Sequence, residues 1–92
     1  MLGQRINELR LAFGWSQVEL AKKLNVSKQT VSNWENDNIQ PSIEMLLRLS
    51  QIFNVTTDYL LGLESIPRLD IRGLPTEMVA HLALLIEDYR SK

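Results

Sequence analysis

The sequence predicts an all-α protein. Two observations carry that reading. Apolar residues recur at helical spacing in short runs, each closed by Gly, Asn or Pro and reopened by Ser or Thr. Across the first sixty residues no apolar/polar alternation reaches the length of a strand. Apolar residues make up 45% of the 92 residues, enough for one compact core and too much for a disordered tail.

The first helix is expected over 4–13, with Ile6, Leu9 and Phe13 on one face and Leu2 just before it; Gly14 stops it. Ser16 with Glu19 three residues later forms a capping-box pattern that opens a second helix, 17–24, carrying Val18, Leu20, Ala21 and Leu24. Asn25 closes it, because Asn tolerates the left-handed backbone better than most residues other than glycine. Ser27 caps a third helix, 28–36, with Val31 and Trp34 as its spine.

Asn36 to Pro41 is a loop, and Ser42 caps a fourth helix. Ile43, Leu46, Leu47, Leu49, Ile52 and Phe53 are expected to give that helix a broad buried face. Thr56 or Thr57 opens a short fifth helix, ended by Gly62. Residues 63–74 change character: Pro67 and Gly73 interrupt them, and Leu69 and Ile71 alternate with Asp70 and Arg72, as in a short extended segment or a linker. A last helix, 76–90, gathers Met78, Val79, Leu82, Leu85, Ile86 and Tyr89 into one wide apolar stripe.

The stretch SQVELAKKLNVSKQTVSNWEN, residues 16–36, thus holds two short helices with a tight break at Asn25-Val26-Ser27, the pattern of a helix-turn-helix. Leu20, Leu24, Val26, Val31 and Trp34 can share one core, and Ala21 is small where the helices approach. The polar residues between these anchors then face outward, as a patch of Ser27, Lys28, Gln29, Ser32 and Asn33.

Composition excludes several classes. With no cysteine there is neither a disulfide framework nor a thiolate metal site. His81 stands alone, so no metal site is expected. No Gly-rich phosphate loop, nucleophile elbow or HExxH motif is present, and the expectation is a non-enzyme without a cofactor. No apolar run approaches the roughly 18–20 residues of a membrane span. The N-terminus makes a poor signal peptide, and a cytoplasmic protein is expected.

Gly3, Arg5, Ile6, Leu9 and Arg10, then Gly14-Trp15-Ser16-Gln17, Glu19-Leu20-Ala21, Leu24 and Val26-Ser27 carry a resemblance. Thr30 to Asn36, Pro41-Ser42 and Val55 to Gly62 continue it. Over residues 3–62 the chain resembles the Cro/Xre-like (lambda-repressor-like) family of bacterial and phage repressors. The resemblance implies a five-helix DNA-binding domain, residues 1–62, whose third helix lies in the major groove of double-stranded DNA. It implies base contacts from Lys28, Gln29, Ser32 and Asn33, and phosphate contacts from Ser16, Gln17, Ser27, Thr30, Asn36 and Asn38. It also implies a structural ion pair between Arg10 and Glu35. The chemistry suits the roles: Gln and Asn pair bidentately with adenine, and Lys reaches guanine O6 or N7.

The sequence departs from the pattern at Asn25, often Gly in the family, and at Asp37-Asn38, often Gly followed by a cation. The second departure removes a phosphate-facing cation and adds a negative charge near the expected DNA. Residues 1–62 carry six basic and six acidic side chains, so one copy should bind weakly. Because the five helices already complete the family's domain, the added helix at 75–92 is expected to dimerise through Met78, Val79, Leu82, Leu85, Ile86 and Tyr89. The remaining expectation for that helix is that it covers its own bundle.

The function expected is a dimeric repressor reading a pseudo-palindromic operator, with an antirepressor or other protein as a further partner. The competing reading is a protein-interaction module, antitoxin-like or scaffold, with weak or no DNA binding.

Overall fold

A computed structural model describes residues 2–92. The described residues are all-helical where they are regular: α1 (Leu2–Ala12), α2 (Gln17–Leu24), α3 (Lys28–Glu35), α4 (Ile43–Phe53), α5 (Thr57–Leu60) and α6 (Thr76–Arg90). Four of these helices open on a side-chain cap. Ser16, Ser27, Ser42 and Thr56 each accept the N–H three residues on, which satisfies a donor that the first turn would leave unpaired. Ser16 and Glu19 complete the full reciprocal box.

Helices α2 and α4 end alike. Asn25 and Asn54 take the left-handed conformation, with φ of 57° and 52°. The next N–H in each case turns back five residues, from Val26 to the Ala21 carbonyl at 2.9 Å and from Val55 to the Ser50 carbonyl at 3.0 Å. This is the Schellman arrangement with asparagine in glycine's place. At Asn25 it forms the turn between α2 and α3.

The core is Ile6, Leu20, Ala21, Leu24, Val31, Trp34, Leu49, Phe53, Val55 and Leu60. It draws on α1 to α5 and on Val55 beside α5. Helix α1 starts two residues earlier than its apolar spacing predicts, because Gly3 is packed under the end of α3 and its N–H finds an acceptor there. The broad buried face expected for α4 is narrower. Leu49 and Phe53 are buried and Leu46 and Ile52 half-buried, whereas Ile43 and Leu47 are 79% and 51% exposed. One helical stripe can meet the bundle, and these two lie off it.

Phe13, Trp15 and Phe53 cluster with ring centroids 4.9–5.8 Å apart, so Trp15 packs on the bundle. Residues 63–75 run without regular structure to α6. No residue of α6 is buried; Leu85 and Tyr89 are 66% and 78% exposed, and the helix does not fold back over its own bundle.

Candidate nucleic-acid interface

Helix α3 presents its polar residues at and after its N-terminus. Ser27, Lys28 and Gln29 are exposed, while Thr30, Ser32 and Asn33 are half-buried. The Ser27 hydroxyl accepts the Thr30 N–H at 3.1 Å and shares a 2.8 Å hydrogen bond with the Thr30 hydroxyl. Gln29 Nε2 donates to Asn33 Oδ1 at 3.0 Å, one turn further along. That bond holds two flexible amides in one relative orientation. It leaves Gln29 Oε1, its second N–H and both Asn33 N–H groups for an outside partner. Asn36 donates to the Ser32 hydroxyl at 3.4 Å.

Behind this surface, α3 is anchored by its last residue. Arg10 Nε and Nη2 grip Glu35 at 2.6 and 3.1 Å, and Arg10 Nη1 donates to the Trp15 carbonyl at 2.8 Å. The Glu35 carboxylate also accepts from Asn7 at 2.9 Å and Gln17 at 3.1 Å. Both charged side chains are largely shielded from solvent. Burial pushes the Glu35 carboxyl upward, but hydrogen bonds from Arg10, Asn7 and Gln17 and the Arg10 charge outweigh it, so Glu35 lies below the ordinary carboxylate value. The Glu35 hydrogen bond, with the nearby charge, raises Arg10 against its own burial. One carboxylate thus ties α1, the start of α2 and the end of α3 together.

Gln17 therefore spends one amide N–H inside the protein and keeps Oε1 and the other N–H. Its reach to Glu35 places the start of α2 beside the end of α3. Ser16, Gln17, Asn36 and Asn38 stand toward that end, and Ser27 and Thr30 at the other. The Ser16 hydroxyl is engaged by Glu19, whose carboxyl is lowered by the Ser16 backbone N–H and hydroxyl. Asn36 closes α3, and the Asn38 N–H returns to the Asn33 carbonyl at 2.9 Å.

The cations are mostly committed within the fold. Arg10 holds Glu35, Arg5 lies 3.9 Å from the Tyr59 ring centroid and Lys23 lies 4.5 Å from that of Trp15. Arg48 donates to the Leu24 carbonyl at 2.8 Å, which satisfies the end of α2 and fixes α4 to it. Sequence reasoning missed this role, as it missed Asn7. Neither partner is a near neighbour in sequence. Among the described residues up to Gly62, Lys22 and Lys28 remain as exposed cations outside these contacts.

Asp37 is not a free charge beside the patch. Its carboxylate accepts the Gly3 N–H at 3.1 Å, at the positive end of α1. Among the described residues no group of His, Cys, Asp and Glu could hold a metal ion, and no helix is long and apolar enough to cross a membrane.

A helix-turn-helix family profile matches residues 6–60. The HTH-type transcriptional regulator ImmR of Bacillus subtilis is 43% identical over 67 residues, 73% of this chain and 53% of ImmR. The chain spans between half and three fifths of the length of the first curated relatives it matches. Among solved structures, the P22 c2 repressor bound to a synthetic operator superposes with a TM-score of 0.63 at 35% identity, covering 65% of this chain and 91% of that one. A complex of SinR with SinI matches over 100% of both chains, with a TM-score of 0.62 and 27% identity. A capped helical pair with an αL turn, an outward amide patch and these matches lead to one assignment: the chain belongs to the helix-turn-helix family of Cro/C1-type transcriptional regulators.

Proposed function

We propose that the chain is a sequence-specific DNA-binding regulator, most simply a repressor, that occupies an inverted-repeat operator as a homodimer. The observation that carries the reading is the braced amide pair Gln29–Asn33 beside exposed Lys28 on a capped helix. Amides oriented before binding lose less freedom on contact with base edges, so a patch poor in cations can still read sequence. Ser16, Gln17, Asn36 and Asn38 toward one end of α3, with Ser27 and Thr30 at the other, suit phosphates on the two sides of a major groove. The relatives' names and the P22 c2–operator complex support the same role.

Residues 1–62 serve as the DNA-reading unit, 63–74 as the connection and 75–92 as the dimerising helix. Val79, Leu82 and Ile86 line an apolar groove of about 520 Å³ with Pro67, Leu69 and Ile71. The occupant we assign is α6 of a second copy. Antiparallel pairing centred on small Ala83 sets Glu77 of one copy near Arg90 of the other, and it covers Val79, Leu82 and Ile86. Two recognition helices then meet successive major-groove faces about 34 Å apart.

Selection of bound DNA from a random pool tests the reading, with sedimentation of the wild type and of Leu82→Glu. An enriched inverted repeat, a wild-type dimer and a monomeric variant with weakened binding are expected. A single half-site bound alike by both proteins overturns the dimer. No enrichment at low salt overturns DNA reading and leaves α6 as a surface for a different protein; the matched SinR structure is itself a complex with another protein, SinI.

A further inference from the structure

The segment between α5 and α6 is pinned to the end of α4. Asn54 Oδ1 accepts the Asp70 N–H at 3.1 Å, and Asn54 Nδ2 donates to the Asp70 carbonyl at 3.4 Å. Two hydrogen bonds from one planar amide to one residue's backbone fix the direction of the chain as well as its position, as a neighbouring strand would. The amide is itself aimed by a rigid feature, because Asn54 is the left-handed cap of α4.

Fixed contacts continue on both sides. Upstream, the Leu63 N–H returns to the Asp58 carbonyl at 2.8 Å, Thr56 donates to Glu64 at 3.1 Å, and Arg68 pairs with Glu64 at 3.3 Å. Downstream, Arg72 donates to Asp70 through its backbone N–H at 3.0 Å and through its guanidinium at 3.0 and 2.8 Å. A turn follows, with the Leu74 N–H on the Ile71 carbonyl at 3.2 Å and Gly73 at φ 82°, and Pro75 then opens α6. Toward the reading helix, Arg48 of α4 holds the end of α2. A continuous set of direct contacts therefore runs from α3 through α2, α4 and Asn54 to α6.

We infer that Asn54 is a positioning residue that sets the separation and rotation of the two half-sites the dimer accepts. This rests on the dimeric reading above. One added base pair moves a half-site by about 3.4 Å and turns it by roughly 35°, so a fixed connection loses simultaneous engagement whereas a loose one follows. A connection of this length without the clasp would behave as a flexible tether and tolerate several spacings.

The test is Asn54→Gly in the full chain. Glycine suits the left-handed cap, so α4 and the core keep their end, and only the amide is lost. Binding is measured on inverted repeats with spacers of graded length, and amide exchange at Asp70 is followed without DNA. Expected for the wild type are a slow Asp70 amide and a loss of about tenfold or more for one base pair added or removed, as avidity is forfeited. Expected for Asn54→Gly are fast Asp70 exchange, unchanged half-site affinity and a flattened spacing profile. A variant that keeps the wild-type profile, or a wild type indifferent to spacing, overturns the inference. If the wild type selects only a single half-site, the dimer fails and the spacing role falls with it, while the exchange result still reports whether the clasp forms.

Discussion

The Gly3 backbone N–H donates to the Asp37 carboxylate across 34 residues of sequence, joining the first turn of α1 to the loop that leaves α3. Asp37 stands at φ 57° to do so. A left-handed backbone costs a residue with a side chain roughly 1–2 kcal/mol. An acceptor at a helix N-terminus offsets about 1 kcal/mol of that. The carboxylate that looked like a repulsive charge near DNA is thereby a cap for another helix.

Gly3→Ala should therefore be disruptive despite alanine's better helix propensity. An added Cβ would lie 2.4 Å from the Trp34 carbonyl oxygen, 2.7 Å from Asp37 Oδ1 and 2.8 Å from the Glu35 carbonyl oxygen. Two of these atoms are backbone and cannot rotate away, so α1 must shift from α3. A loss of about 1–3 kcal/mol is expected, as for an overpacked core. Denaturant unfolding measures it; an unchanged midpoint would show that α1 does not pack this closely.

Glu35→Gln leaves Arg10 shielded from water without its counter-charge, and about 3–5 kcal/mol of stability should be lost. The pair also predicts acid behaviour. Glu35 is lowered in the folded state, so the unfolded chain binds more protons in acid. Its contribution is complete above the unfolded carboxylate pKa of about 4.3 and drains away as pH falls through the lower folded value. Melting temperature against pH should show this decline in the wild type, with a smaller decline in Glu35→Gln. Parallel profiles would exclude Glu35 as its source.

Gln29→Ala removes one amide of the reading pair and releases Asn33 from it. Affinity for the selected site should fall by about 1–3 kcal/mol per half-site, with preference relaxed at one base position and stability unchanged. A repeated selection on the variant checks this. An unaltered preference would remove Gln29 from the reading surface.

Salt dependence should be shallow. With Lys22 and Lys28 the exposed cations left over by the contacts of residues 2–62, and Lys28 directed at base edges, a dimer brings at most about four such cations to DNA. The slope of log K against log salt should then be near −4 or shallower, at roughly 0.9 per phosphate. Titrating binding against salt measures it, and a slope of −8 would mean that Arg5, Lys23 or Arg48 leaves its internal partner on binding.

The local structure was legible from residues 16–62. Capping serines and threonines, αL asparagines and helical spacing act through neighbours three to five residues away, and their meaning survives without a tertiary context. The broad face given to α4 was not legible, because Ile43 and Leu47 are as apolar as the residues that pack; only the angle at which α4 meets the bundle separates them. Asn7 and Gln17 on Glu35, Arg48 on the end of α2, Asp37 on Gly3 and Asn54 on Asp70 were also beyond the sequence. Each pairs a polar side chain with a group 16 to 34 residues away, and four hydrogen bonds, two from Arg10 and one each from Asn7 and Gln17, end on the Glu35 carboxylate. The sequence by itself determined a helical protein with a capped helix-turn-helix and an outward polar patch. Only the tertiary structure decided which polar groups are spent on holding helices together and which remain for a partner, because a hydrogen bond is committed by distance and direction, and residue type supplies neither.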